Sequence, residues 1–376
     1  MPSPTSRRRT SCDLGLALAA ALGAAIALSC GGQESPEAAA QRRAARPEHS
    51  SPTTYVEALA MLDAEIREAR SLAGIEPDDS TATARLVSWS DLELLARLCM
   101  RRARLSGNVK DWLAARDALD AALDLAPEGG GPTLTRAELA LALHQLDDAE
   151  RWLATARRAP LHSAGALERM EAIEAELARG RSDHEGAAQR YGVGLPFAPE
   201  PPPEGEGAPA AEALRAAREG LLRREAGDYD GARAAFDRAL ARMRAGSTPR
   251  HQQTLAWLAL QRGLVEWETG NPKEALRYYQ GAHAAFPDWW LVTEHRAEAH
   301  AALGEHHEAI SLYRQALDHS HQPELMDALA ALLQQHPDLQ ISEGEAGHWR
   351  RLSKTTQIER ERVLPELARA HDHTRG

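Results

Sequence analysis

Cysteines, aromatic residues and long apolar runs are scarce in this 376-residue chain. The three cysteines are Cys12, Cys30 and Cys99, and no Cys-x-x-Cys pair occurs. That scarcity excludes a disulfide framework and the common zinc-binding patterns. No apolar run approaches the roughly 20 residues that a membrane-spanning helix needs. Acidic residues outnumber basic residues, and the net charge is −11. An acidic chain repels phosphate backbones, so no nucleic-acid partner is expected.

Sequence motifs of catalysis are also missing. The chain contains no Gly-x-x-x-x-Gly-Lys-Ser/Thr loop, no Gly-x-Ser-x-Gly elbow and no His-Glu-x-x-His pair. Its carboxylates are numerous, but paired acids on charged helices are usually solvated surface. The sequence therefore predicts a protein that is not an enzyme, with no cofactor and no metal site.

The residues that are abundant favour helices. Ala, Leu, Glu and Arg dominate, and these side chains lose little freedom in a helix. The hydrophobic content of 43% is enough for a core. Because much of it is alanine, the composition favours closely packed helix pairs and predicts an all-α fold.

The N-terminus has the features of an export signal. Arg7, Arg8 and Arg9 precede an uncharged run of 15 residues, Leu14–Leu28, which is too short to span a membrane comfortably. The run ends in Ala-Leu-Ser directly before Cys30. This resembles the bacterial lipoprotein signal, in which the cysteine receives a lipid and becomes the first mature residue.

The resemblance implies a signal peptide over residues 1–29 and a lipid anchor at Cys30. The sequence departs from the family at Ala27, where leucine is preferred. An ordinary cleaved signal and an uncleaved anchor remain alternatives. Gly31, rather than Asp, follows the cysteine, which in the family favours the outer membrane. The stretch from Gly31 to Pro52 has no apolar periodicity and has the composition of a flexible tether. We therefore assign residues 30–52 as a tether.

A repeated spacing carries most of the remaining chain. An alanine is followed after four residues by a large apolar residue, and after three more by a second alanine. The pattern occurs at Ala115-Leu119-Ala122, Ala149-Leu153-Ala156, Ala232-Phe236-Ala239, Ala275-Tyr279-Ala282 and Ala309-Tyr313-Ala316. In the last three copies a glycine lies five residues before the first alanine, at Gly227, Gly270 and Gly304. A second small residue lies seven residues earlier still, at Gly220, Gly263 and Ala297.

These spacings resemble the tetratricopeptide repeat. Small residues at helical spacing let antiparallel helices approach closely, and a glycine permits the tight turn between them. One hairpin cannot bury its own apolar face, so hairpins stack into a superhelix. The resemblance covers most of residues 90 to 323 and implies an all-α solenoid of five or six helix pairs that binds proteins.

The repeats divide the chain into regions. We predict N-terminal repeats over residues 53–194, with an additional helix at Tyr55–Ala73, and a proline-rich linker over residues 195–209. Three well-matched repeats follow over residues 210–323. Capping helices and a tail occupy residues 324–376, with helices at Glu324–Gln335 and His348–Ala370.

The first helices of the well-matched repeats carry a stripe that we call the inner stripe. It comprises Leu214 and Leu221, then Trp257, Leu260, Leu264 and Trp267, then Glu294 and Glu298. The tryptophan and leucine positions, spaced by three, four and three residues, lie on one helical face. By the geometry of the family, this face lines the concave groove in which partners bind.

Two interpretations of the inner stripe remain open. In the first, Trp257 and Trp267 form an aromatic wall of the groove and the glutamates favour a basic partner. In the second, the helix is rotated by roughly 100°. The stripe is then core, and charged pairs such as Arg262 with Glu266 are surface ion pairs.

Histidine is the other unusual feature, since eleven of the sixteen lie after residue 280. Clusters at His306-His307, at His319 with His321 and at His371 with His373 raise the alternative of an envelope metal-binding or enzyme-accessory protein. A pocket for small molecules or peptides beside the tryptophans is a further alternative. Our main expectation is a lipid-anchored scaffold or assembly factor of the cell envelope that binds a protein or peptide partner.

Overall fold

The computed structural model describes residues 51–75, 87–128, 130–159, 162–193, 209–246, 251–363 and 365. These ranges contain fifteen α-helices and no β-strand. The helices are α1 Tyr55–Leu72, α2 Trp89–Ser106, α3 Val109–Leu125, α4 Thr133–Ala142, α5 Leu146–Arg157, α6 Ala164–Gly180, α7 His184–Tyr191, α8 Pro209–Glu225, α9 Tyr229–Ala245, α10 Gln252–Glu268, α11 Pro272–Ala285, α12 Trp290–Ala302, α13 His306–Leu317, α14 Pro323–Gln335 and α15 Glu345–Val363. The predicted signal peptide, the lipidation site and nearly all of the tether and linker lie outside the described residues.

Successive helices pack in pairs. After α1, the described chain forms seven hairpins: α2–α3, α4–α5, α6–α7, α8–α9, α10–α11, α12–α13 and α14–α15. Each hairpin also packs against the next one, which makes the fold an all-α solenoid, as predicted. The seventh hairpin consists of the helices predicted as a cap, with a 3-10 turn at Pro337–Leu339 between them. None of the helices in the described part of the chain has both the length and the apolar character needed to cross a membrane.

The turns inside the hairpins share one backbone conformation. Gly227, Gly270 and Gly304 have φ angles of +79°, +81° and +82°. In the second and third hairpins the equivalent residues are His144 and Ser182, at +57° and +61°. Left-handed backbone is easiest for glycine, which explains why the first three positions could be predicted and the last two could not.

Small residues inside the hairpins permit close approach of the two helices, as predicted. A Cβ on Gly220 would lie 2.9 Å from the ring of Phe236, and one on Gly263 would overlap the ring of Tyr279. Real Cβ atoms do not approach that closely, so each aromatic ring occupies the space that a side chain would need.

One continuous core joins the first and last helices of the described chain. It contains buried side chains of α1, α2 and α3 together with those of α8 to α14. A smaller core lies among α4, α5 and α6, and a third joins α6 and α7 to α8. On either side of the linker, Arg179 forms an ion pair with Glu225 at 2.7 Å and Arg218 stacks over Tyr191 at 4.8 Å. The two blocks of repeats therefore pack directly against each other.

Candidate partner-binding face and the seam between the chain ends

The inner stripe lies on α8, α10 and α12, the first helices of three consecutive hairpins. Its centre is fully buried, since Trp257, Leu260 and Leu264 are 1%, 0% and 1% exposed. Leu221 and Glu294 are also buried, whereas Leu214, Trp267 and Glu298 are half-buried. Of the predicted residues, only the last three reach the surface.

Burial of α10 extends to every side of the helix. All eleven residues from Ala256 to Glu266 are buried. Consecutive residues turn by about 100°, so such a run leaves no face open. The same continuous core holds Leu98, Cys99 and Met100 of α2. In this conformation the centre of the stripe is core, as the second interpretation expected.

The second interpretation also expected Arg262 and Glu266 to form an ion pair on the surface, and there the structure differs. Arg262 Nη1 donates to Glu266 Oε1 at 2.6 Å, but their side chains are only 7% and 6% exposed. Arg262 also binds Asp237 of α9 at 3.0 Å, and Arg233 of α9 binds Glu266 at 2.9 Å. The pair is therefore a buried connection between adjacent hairpins, because the preceding repeat covers that side of α10.

The Glu266 carboxylate is stabilised in its charged form. Burial opposes the charge, but hydrogen bonds from Arg233, Arg262 and Asn271 outweigh it and lower the pKa of Glu266 to about 2. A buried carboxylate with three donors ties α9, α10 and the α10–α11 turn together.

A polar seam joins the end of α2 to the C-terminal repeats. The Trp290 indole N–H donates to Leu105 O at 3.0 Å, and the Gln322 amide donates to Gly107 O at 2.8 Å. The Ser320 hydroxyl donates to the Ser106 carbonyl at 3.2 Å. The last carbonyls of a helix have no partner within the helix. Here three of them, in successive residues, are satisfied by donors about 200 residues away in sequence.

Further contacts tighten this seam. The Tyr55 amide donates to Pro287 O at 3.1 Å, and the Tyr55 ring meets His319 edge-on at 5.5 Å. Gly107 has a φ of +72°, and a Cβ there would lie 2.5 Å from the Gln322 amide nitrogen. Sequence reasoning missed the seam, because its donors belong to no repeat motif. The one local signal was Gly107 at the end of an apolar helix.

The acidic end of the inner stripe contains a side chain without a partner. Glu294 is 6% exposed, and its carboxyl forms no hydrogen bond or ion pair with any residue in the described ranges. Burial and the nearby charges of Glu298 and Glu324 raise the pKa of Glu294 well above its usual value. Glu298 accepts from His295 at 2.9 Å, and Glu324 is bound by Arg360 at 2.8 Å.

Two of the clustered histidines make ring contacts. His306 stacks on His336 with ring centroids 4.0 Å apart, and His319 packs on Tyr55. Over the described ranges, no three or more His, Cys, Asp or Glu side chains lie close enough together to hold a metal ion. His371 and His373 lie outside the described residues.

Three features of the hairpins now coincide. The alanine spacing recurs five times, the turn residue is left-handed in each well-matched copy, and the small residues face aromatic rings of the second helix. The hairpins resemble tetratricopeptide repeats in spacing and turn geometry. The repeat pattern extends over most of the described chain from α2 to α13.

Comparison with known proteins gives similarity of fold only. No protein-family model matches the chain, and no curated protein matches it in sequence. The apo form of RapI superposes with a TM-score of 0.42 at 14% identity, covering 74% of this chain and 99% of that one. A tetratricopeptide repeat protein from Parabacteroides merdae ATCC 43184 gives 0.38 at 17%, covering 73% and 98%.

A longer structure is also similar. The APC/C hetero-tetramer Cut9-Hcn1 gives a TM-score of 0.41 at 15% identity, covering 85% of this chain and 53% of that chain. The present chain therefore spans about half the length of that chain. None of these similarities indicates what this protein binds.

Proposed function

We propose that the protein is a non-catalytic scaffold of the bacterial cell envelope, held at the membrane by a lipid on Cys30, which binds a segment of another exported protein. One observation carries the binding role. The inner stripe is buried at its centre but leaves Trp267 and Leu214 half-buried at its edge. An aromatic ring at the margin of a rigid repeat face is a suitable anchor for a partner side chain.

The edge of the stripe favours a particular kind of partner. Trp267 is the penultimate residue of α10, and Glu268, the last, lies 3.8 Å from Arg224. The half-buried Glu298 adds negative charge to the same face. A short segment with an apolar residue and a basic residue would complement this combination. Such a partner fits a role as an assembly factor for other envelope proteins.

The anchor is supported by sequence alone. Cys30 follows an apolar run of secretory length, and the stretch behind it has the composition of a tether. Gly31 favours sorting to the outer membrane in the lipoprotein family. This location would place the repeats on the periplasmic side.

The test is affinity capture from envelopes with the anchored protein, compared with Trp267→Ala. The matched control is Trp152→Ala, because Trp152 is also half-buried but lies on α5 in a separate core. We expect the Trp267 variant to remain folded and lose a specific partner, while the control retains it. Loss of a hot-spot tryptophan weakens binding by about 2 kcal/mol or more.

A fourth sample, Cys30→Ser, tests the anchor in the same experiment. This variant should leave the membrane fraction and keep its affinity for the partner in solution. Equal capture by the Trp267 and Trp152 variants would remove the basis for the proposed binding edge. Retention of the Cys30 variant in membranes would rule out the lipid.

A further inference from the structure

One arginine of the first repeats is buried without a counter-ion. Arg104 lies near the end of α2 and is only 7% exposed. Its enclosed Nε atom has no hydrogen-bond partner. The two Nη atoms are not fully enclosed, and they form no hydrogen bond or ion pair with any residue in the described ranges. Burial lowers the pKa of Arg104 to about 10, so the group still carries its charge at neutral pH. A buried charge without a partner is costly, which points to a ligand that completes it.

The acidic neighbour of Arg104 is already bound by another arginine. Glu138 on α4 is close enough to favour the charged form of Arg104, but its carboxylate accepts from Arg169 Nε at 2.8 Å. Arg169 of α6 also donates to the Thr135 hydroxyl at 2.8 Å, and Thr135 in turn donates to Glu93. The network thus links α2, α4 and α6, the first helices of three hairpins, through its own donors and acceptors. Arg104 lies beside it with no carboxylate of its own.

The Trp112 ring gives the guanidinium a neighbour but no acceptor. The guanidinium carbon of Arg104 lies 5.9 Å from the centre of that ring, near the outer limit of about 6 Å for a cation–π contact. Such a contact leaves the N–H groups of the guanidinium without acceptors. Asp111, which precedes Trp112 in α3, is bound by Arg102 at 2.6 Å. The acceptors that Arg104 needs must therefore come from a ligand.

Charge and shape select the class of ligand. A planar guanidinium can donate two parallel hydrogen bonds to the oxygens of a carboxylate or a phosphate. A phosphate group carries about −1.5 to −2 charges at neutral pH, which exceeds the single charge of Arg104 and would be repelled by Glu138. A carboxylate carries one charge and matches the arginine. The small exposed fraction of Arg104 favours a small molecule over a segment of a macromolecule.

We propose that Arg104 binds a small free monocarboxylate, an organic acid whose two oxygens accept from the Nη atoms at the open edge of the guanidinium. The site lies in the first block of repeats, whereas the inner stripe lies on α8, α10 and α12. It is therefore a second binding site, and its existence does not depend on the proposed scaffold role.

Urea unfolding of the full chain in acetate tests the site, because a ligand that binds only the native state stabilises it. Midpoints are compared in about 0.2 M sodium acetate and about 0.2 M NaCl, which screen charges equally. The variant is Arg104→Met, and the matched control is Arg101→Met, at an exposed arginine of α2 paired with Glu65. Acetate should raise the midpoint of the native chain and the control but not that of Arg104→Met. In NaCl, Arg104→Met should be at least as stable as the native chain, because it removes an unpaired buried charge. A lower midpoint there would overturn the proposal, since Arg104 would then stabilise the fold without a ligand.

Nuclear magnetic resonance of the arginine Nε–H groups in the native chain measures binding directly. The Arg104 signal is the one that disappears in Arg104→Met. It should shift and saturate with acetate, and phosphate should need an about tenfold higher concentration because of the Glu138 charge. An Arg104 signal that acetate does not move would overturn the proposal, and so would a response to phosphate alone. A response only to a glutamate peptide with both ends blocked would also overturn it, since the ligand would then be a protein side chain.

Discussion

Replacement of Trp290 by phenylalanine tests the seam against an internal control one residue away. Trp289 and Trp290 are both fully buried, at 0% and 1% exposure. The Trp290 indole donates to Leu105 O, whereas the Trp289 indole N–H has no partner in the described structure. The two substitutions remove the same atoms from the core, so their difference isolates one hydrogen bond across the seam.

The expected difference follows from the cost of an unsatisfied carbonyl. Leu105 lies in the last turn of α2, where no helical donor reaches it. Trp290→Phe leaves that carbonyl buried without a donor, which costs about 1 to 3 kcal/mol beyond the lost packing. Trp289→Phe removes an unpaired buried donor and carries no such penalty. We therefore expect Trp290→Phe to be the more destabilising by this amount.

Urea unfolding followed by circular dichroism measures the difference, and hydrogen exchange localises it. In Trp290→Phe, amides of α1 and the end of α2 should exchange faster than in Trp289→Phe, because the seam holds those helices. Equal midpoints for the two variants, with equal exchange in α2, would refute the argument that this bond joins the chain ends.

Two further predictions concern a glycine and a carboxylate. Gly107→Ala should destabilise the fold by at least about 1 kcal/mol more than Gly270→Ala, measured by urea unfolding. Both glycines have positive φ, but only at Gly107 would a Cβ displace a neighbouring side chain, the Gln322 amide that donates to the Gly107 carbonyl. The pKa of Glu266 is about 2 in the folded chain, below the ordinary 4.5. Its stabilisation is therefore complete above pH 4.5 and is lost as the pH falls towards 2. Urea midpoints measured from pH 6 to pH 3 should fall less steeply in Glu266→Gln.

Repeats with local signals could be predicted from sequence. Gly227, Gly270 and Gly304 each combine a turn with a fixed distance to the next alanine, and the helices on both sides form as expected. The second and third hairpins gave weaker signals, because His144 and Ser182 take the left-handed conformation in place of glycine. Tertiary packing there imposes a backbone that the residue itself does not favour.

The fate of the inner stripe could not be read from its spacing. A period of three and four residues shows that Trp257, Leu260 and Leu264 share a face, but it does not show what covers that face. The continuous core around these residues also contains side chains of α1 and α2, which are more than 150 residues away in sequence. The bonds that hold α2 there use its carbonyls, which are the same in every residue type. Only a three-dimensional structure reveals such contacts.

Closure between the ends changes how this repeat array should unfold. In an open solenoid each repeat contacts only its neighbours, so the terminal repeats fray first. Here the first helices share a core with the fifth to seventh hairpins, and three bonds fix the end of α2 to residues 290–322. Separation of α2 from these residues leaves three carbonyls unsatisfied. The first helices and the last hairpins of the described chain are therefore coupled in unfolding.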